Sequence, residues 1–163
     1  MPVCYSAPPM ERTFSMIKPD GVQRRLVGKI VQRYEDKGLR IVGLKLIQMS
    51  QKQAETLYSI HKERPFYASL MKFVTASPAV VMVIEGNQAI AVVRKLLGAT
   101  FGFNAEPGSI RGDYGCSKGY NLIHGSDAPE AAQREIPIFF SESELVKYEH
   151  VDNVWVLEEP ERK

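Results

Sequence analysis

His124 stands in "NLIHGSD", Asn121 to Asp127, between two branched apolar residues and a turn, and it is one of only three histidines in the chain. A histidine at a strand end is more often a hydrogen-bonded structural residue than a catalyst. Its neighbours raise the odds. Gly125 permits a sharp turn and leaves space beside the ring. Ser126 or Asp127 is placed to cap a following helix, and Glu135 lies about two turns further along it. Such groups can fix an imidazole's tautomer and orientation, and an imidazole held this way in an open site is a candidate nucleophile. The electrophile that suits it is a phosphoryl group, whose transfer asks mainly for positioning and for cations around developing negative charge. The candidate cations are Lys18, Arg94 and Arg111, with Thr100 as a hydroxyl donor. Most lysines and arginines are solvated surface groups. Arg111, however, lies in "GSIRGDYG", between glycines in a loop, where it adds little to a core and is well placed to reach a ligand. In "HKERPFY", Phe66 follows Pro65 and can offer a ring at a cleft mouth, where stacking tolerates any nucleobase because every base has a π-face. Taken alone, Phe66 and Tyr67 read as packing aromatics.

The elements that must position these residues follow from period and punctuation. "RTFSMI" is strand-like, and Pro19-Asp20-Gly21 is a breaker cluster. "VQRRLVGKIVQRYEDKG" has Val22, Leu26, Ile30, Val31 and Tyr34 at helical spacing and Gly38 at its stop, which predicts one helix. "LRIVGLKLIQMS" alternates as a second strand, and Ser50 is a cap for the helix "QKQAETLYSIHKE". Pro65 suits the first turn of the helix "PFYASLMKFVTA". "AVVMVIEG" reads as a central buried strand and "NQAIAVVRKLLG" as a helix that stops at Gly98. Residues 98 to 120 hold six glycines and no period, which predicts a long loop, of a length that is usually functional or disordered. "YNLIH" is a short last strand and "APEAAQREI" a last helix, ended by Pro137. A short helix and an apolar cluster around Trp155 close the chain. Without the extra helices the order is βαββαβ, an α+β ferredoxin-like antiparallel sandwich. A doubly wound parallel sheet is the alternative, but "KPDG" matches neither a GxGxxG nor a Walker turn.

The totals narrow the function classes. A chain of 163 residues, 44% apolar and 25% charged, suits a single folded domain, expected over 11–157 with a flexible arm at 1–10 and a tail at 158–163. A net charge of +2 gives no basic field for nucleic acid. The longest apolar runs fall well short of the roughly 20 residues that span a bilayer. The opening "MPVCYSAPPM" lacks the basic and apolar regions of a secretory signal. Cys4 and Cys116 are too few for a disulfide framework, so a cytoplasmic protein with free thiols is expected.

Five segments, "RTFSMIKPDGVQR", "KGLRIVGLKL", "RPFY", "PGSIRGDYG" and "NLIHGSD", stand in the order and spacing of nucleoside diphosphate kinase, and the chain resembles that family from residue 11 to about 157. The resemblance implies a ferredoxin-like sandwich with helical insertions. It implies transfer of a γ-phosphoryl from a nucleoside triphosphate to a diphosphate, with Mg2+ on the phosphates and little base specificity. His124 matches the phosphorylated histidine, and Glu135 and Ser126 match the residues that support it. Lys18 and Asn121 match contacts to the sugar and phosphate region, and Tyr58 and His61 line the phosphate side. Phe66 matches the ring that stacks on the base, with Leu70 beside it. Arg94, Thr100 and Arg111 match the phosphate cradle. Asn121, Tyr58 and Leu70 enter through the resemblance alone. A homohexamer is implied by the terminal "NVWVLEE", since shorter members are often tetramers.

The chain departs from the family pattern in three places. Thr100-Phe101-Gly102 stands where Thr-Asn-Pro is usual, in a loop associated with subunit contacts. A hexamer that dissociates more readily is expected, and one that Gly102→Pro hardens if the backbone there permits proline. Ser109 replaces a usual threonine. Lys118 stands near the base-binding wall, where its stem can cover a base while the charge reaches solvent. The rival readings are a catalytically weak nucleotide-binding regulator of the same fold and a nucleic-acid module. The intact set of His124, Lys18, Arg94, Arg111 and Asn121 argues against the first. The missing RNP-type aromatic pattern and near-neutral charge argue against the second.

Overall fold

The computed structural model describes residues 10–162, so all but the last residue of the expected arm, and Cys4 with it, lie outside the described residues. Four antiparallel strands form one sheet in the order β2-β3-β1-β4: β1 (Glu11–Ile17), β2 (Arg40–Ile47), β3 (Ala79–Gly86) and β4 (Ile123–Gly125). This is the ferredoxin-like α+β arrangement, and no pair in the sheet is parallel.

Helices cover both faces. On one face, β3 sends Val80, Met82 and Ile84 against Ile30 and Tyr34 of α2 (Val27–Asp36), Val93 and Leu97 of α5 (Ala89–Leu97), and Ile110 of α6 (Ile110–Tyr114). On the other, Val81 and Val83 pack with Phe14 against α3 (Gln51–Leu57), α4 (Tyr67–Val74) and α7 (Pro129–Phe139). A strand with an apolar core on each side has no polar face, which is why "AVVMVI" does not alternate. The helices α3 and α4 are the insertion between β2 and β3.

Several sequence expectations need correcting. The Pro19-Asp20-Gly21 cluster is not a break but the start of a short helix, α1 (Pro19–Gln23), with proline in its first turn. The single helix expected over 22–38 is two helices, parted where Arg25 takes a φ of 59°. Pro65 precedes α4, which opens at Tyr67 with Phe66 as its N-cap. The helix α7 runs through Pro137 to Phe139. Proline there frees only the exposed Gln133 carbonyl, which water can serve. Ala128, and neither Ser126 nor Asp127, is the N-cap of α7. The long loop holds α6 and a 3-10 turn, Gly102–Asn104. Ser50 caps α3 as expected, in a reciprocal capping box with Gln53.

Gly102 carries a further correction. A Cβ there would run into the Gly115 carbonyl, so the backbones of the two glycines pass too closely for a side chain. Proline at 102 therefore strains this loop instead of hardening it. The C-terminal cluster forms a short helix, α8 (Asn153–Val156), on which Trp155 is 88% exposed.

Candidate active site

The last strand places the histidine. Residues alternate across a sheet, so Ile123 enters the core beside α5 while His124 faces the side of α3 and α7. Gly125 returns to the α5 side, where a Cβ would stand 3.0 Å from Leu97 Cδ2 and 3.3 Å from Val93 Cγ1. Its role is this close helix approach, not the sharp turn expected from the sequence.

Two residues of α7 and its approach hold the ring. Glu135 Oε2 lies 2.9 Å from His124 Nε2 and accepts a bond of 2.7 Å from Ser126 Oγ. Burial acts to raise the Glu135 carboxyl, but the bonds from His124 and Ser126 hold it below its usual value. Ser126 thus serves the carboxylate and not the helix end. Because Glu135 takes Nε2, the nitrogen with a free lone pair is Nδ1.

The cations form a floor. Lys18 is buried and donates to Asn121 Oδ1 at 2.7 Å. Burial, and then the neighbouring Arg111, push the Lys18 ammonium down to about 8, against the pull of Asp20. Arg111 is also buried. It donates to the carbonyls of Asn121 (3.1 Å), Gly98 (3.0 Å) and Ile123 (2.6 Å). Burial and Arg94 bring it down to about 10. Arg94 reaches the Gly125 carbonyl at 3.4 Å, and Asn121 Nδ2 donates to the carbonyl of the exposed Thr100 at 2.9 Å.

A row of rings leads outward from the histidine. Tyr58 is set edge-on to His124 at 5.8 Å between centroids, His61 lies 6.3 Å from Tyr58, and Phe66 lies 5.7 Å from His61. Burial pushes the Tyr58 phenol up, and its hydroxyl has no hydrogen-bond partner among the described residues. Burial, followed by Arg64, lowers His61. Phe66 is 50% exposed, and Leu70 is half-buried against the core of that face.

Lys18, Arg111, Asn121 and Thr100 are thus linked to one another by hydrogen bonds, and Glu135, Tyr58, His61 and the exposed Phe66 are linked to His124 or to each other by contacts. Sequence reasoning passed over Asp20, whose Oδ2 accepts from the Leu122 N–H at 3.0 Å. An acid directly after Pro19 at a helix start was the available signal.

Buried cations near a histidine braced by a carboxylate, on an antiparallel α+β sheet, have the chemistry that phosphoryl transfer asks for. The comparisons give the chain's family. Residues 11–145 match the model for nucleoside diphosphate kinase. The nucleoside diphosphate kinase of Microcystis aeruginosa is 56% identical over 149 residues, 91% of this chain and all of that protein. That of Halalkalibacterium halodurans is 56% identical over 147 residues, 90% of this chain and all of that protein. The solved structure of a halophilic nucleoside diphosphate kinase from Halobacterium salinarum, in complex with CDP, is 49% identical. It superposes with a TM-score of 0.88 over 91% of this chain and 99% of its own. The chain belongs to the nucleoside diphosphate kinase family, and its activity is phosphotransfer between nucleotides.

Proposed function

We propose that His124 carries the phosphoryl group between two nucleotides that use one cleft in turn. The observation that supports this most is the bond from Nε2 to Glu135, which leaves Nδ1 as the attacking nitrogen. The Nδ1 lone pair forms a bond to the γ-phosphorus, the bond from that phosphorus to the bridging oxygen breaks, and the diphosphate leaves with the electron pair. The proton on Nε2 stays there, facing Glu135. An oxygen of the next diphosphate then attacks the phosphorus and the N–P bond breaks. One site serves both halves, so the kinetics are ping-pong.

Lys18, Arg94 and Arg111 take up the phosphate charge, with the Thr100 hydroxyl and Asn121 beside the sugar and phosphates. Tyr58 and His61 line the phosphate side. Phe66 stacks on the base with Leu70 beside it, and a ring face reads no base edge. Cations and amides bind a bare divalent ion poorly, so Mg2+ enters on the phosphate oxygens of the substrate. The substrates are nucleoside di- and triphosphates of the cytoplasm, where we assign the enzyme.

We also assign a homohexamer. Leu44 and Leu46 stand exposed on the edge strand β2, Phe101 and Phe103 stack at the surface, and Val151, Val154 and Trp155 are exposed near the C-terminus. Exposed apolar surface of this kind suits contacts between copies. Sedimentation at micromolar concentration tests the assembly, and a fully active monomer refutes it. Mixing pure protein with ATP and GDP tests the activity: GTP must form.

A further inference from the structure

The step between Asn121 and His124 is strained. Leu122 has a φ of 69°, in a region that side chains other than glycine seldom occupy. Ile123 N donates back to Asn121 O at 2.8 Å, so Leu122 is the centre of a three-residue turn of the rare, strained γ type. Conformations of this sort persist only where the surroundings over-determine them.

The surroundings here are the "KPDG" segment. Leu122 O accepts from the Lys18 N–H at 2.8 Å, and the Leu122 N–H goes to Asp20 Oδ2 at 3.0 Å. Lys18 Nζ meanwhile holds the Asn121 side chain. Gly21 lets α1 approach, since a Cβ there would lie 3.1 Å from Leu122 O and 2.6 Å from Ile17 Cγ2. Among the described residues, Asp20 alone reaches the turn's central N–H with a side chain. Its second oxygen, Oδ1, is buried without a hydrogen-bond partner among the described residues, although the charge lies close enough to act on both Lys18 and Arg111. An unpaired buried carboxylate oxygen is costly to keep.

We infer that Asp20 is a positioning residue for phosphoryl transfer: its carboxylate locks the strained turn at Leu122 and so sets the aim of Asn121 on one side and His124 on the other. The inference rests on His124 as the phosphoryl carrier. A turn that relaxes moves the two groups relative to each other, and a misplacement of about 1 Å can slow chemistry on the order of 10²-fold.

The test compares the full-length protein with its Asp20→Ala and Asp20→Asn variants. Asparagine keeps an oxygen within reach of the Leu122 N–H, whereas alanine offers none. Each protein is followed for its folded fraction, for kcat and KM with ATP and GDP, and for the rate of labelling by γ-labelled ATP. Asp20→Ala is expected to slow labelling and kcat on the order of 10²-fold while KM moves less than about fivefold, and Asp20→Asn to recover about tenfold of the loss. Wild-type kcat in folded Asp20→Ala overturns the inference. So does an asparagine variant no faster than the alanine one. If alanine prevents folding, Asp20→Ser, whose hydroxyl stops short of Leu122, is read in the same way. A wild-type enzyme that turns over without labelling at His124 overturns the carrier reading and this inference together. Labelled wild type with a fast Asp20→Ala variant overturns this inference alone.

Discussion

At the floor of the cleft, Lys18, Arg111, Asn121, Ser126 and Glu135 are buried polar groups, each with a hydrogen bond to another part of the fold. At the rim, Phe66 and Thr100 are exposed, and Phe66 meets His61 ring to ring with no hydrogen bond between them. Buried cations balanced only in part by Asp20 are costly in a protein alone. In the proposed mechanism they seat the phosphates, with little reorganisation needed when charge develops. The rim must admit different bases in turn, and a half-open ring suffices for that. On the proposed reading, burial separates the part that reacts from the part that tolerates.

Breaking the floor has the largest effects. His124→Ala removes the attacking nitrogen and is expected to lower turnover by more than about 10⁴-fold, measured with ATP and GDP at saturating concentration. Glu135→Gln keeps the shape near His124 but loses the charge that orients it. A fall in kcat on the order of 10²-fold with the fold retained is expected.

The rim responds less and more evenly. Phe66→Ala should weaken every base together, by roughly 1–3 kcal/mol if stacking is as strong as on single-stranded nucleic acid. The measurement is kcat/KM for several diphosphates. A preference on the order of 10⁴-fold for one base in the wild type would mean that a buried polar group reads it.

Lys18 sharpens the contrast through pH. Its folded value of about 8 lies below the ordinary 10.5, so it loses its proton on folding as pH passes through that window. Protein stability from this group therefore rises between about 8 and 10.5, because the unfolded chain binds the extra proton. Phosphate binding runs the other way: kcat/KM, which reports the free enzyme, is expected to fall as pH rises above about 8. In Lys18→Arg the fall should disappear, whatever the substitution costs in absolute rate. The smallest effect is on the loop beside the rim. Gly102→Pro should lower stability by about 1–3 kcal/mol through the clash with Gly115, read as a lower thermal midpoint.

Much of this was legible in the sequence. Alternation and β-branching marked four strands, and the all-apolar β3 announced its place in the middle of the sheet. The histidine, its carboxylate and the cations could be named because charge in glycine-rich or terminal positions has little else to do. What stayed hidden was tertiary. Ser126 reads as a helix cap, but a carboxylate brought close by α7 outbids the helix end. The break at Arg25 and the turn at Leu122 depend on positive φ at residues that carry no such signal. Gly102 reads as a loosened loop until the Gly115 backbone is seen beside it. Asp20 looked like punctuation because its partner, the Leu122 N–H, is about a hundred residues away in the chain.

Transfer through His124 is tested most directly by catching the intermediate. The wild-type protein is mixed with γ-labelled ATP in the absence of any acceptor, quenched, and mapped for label. The expected result is a phosphoryl group on His124, stable to base and labile to acid, which GDP, CDP or UDP each remove at a rate matching turnover. Full turnover with no label on the protein, or label on His124 that acceptors discharge far more slowly than turnover, contradicts it.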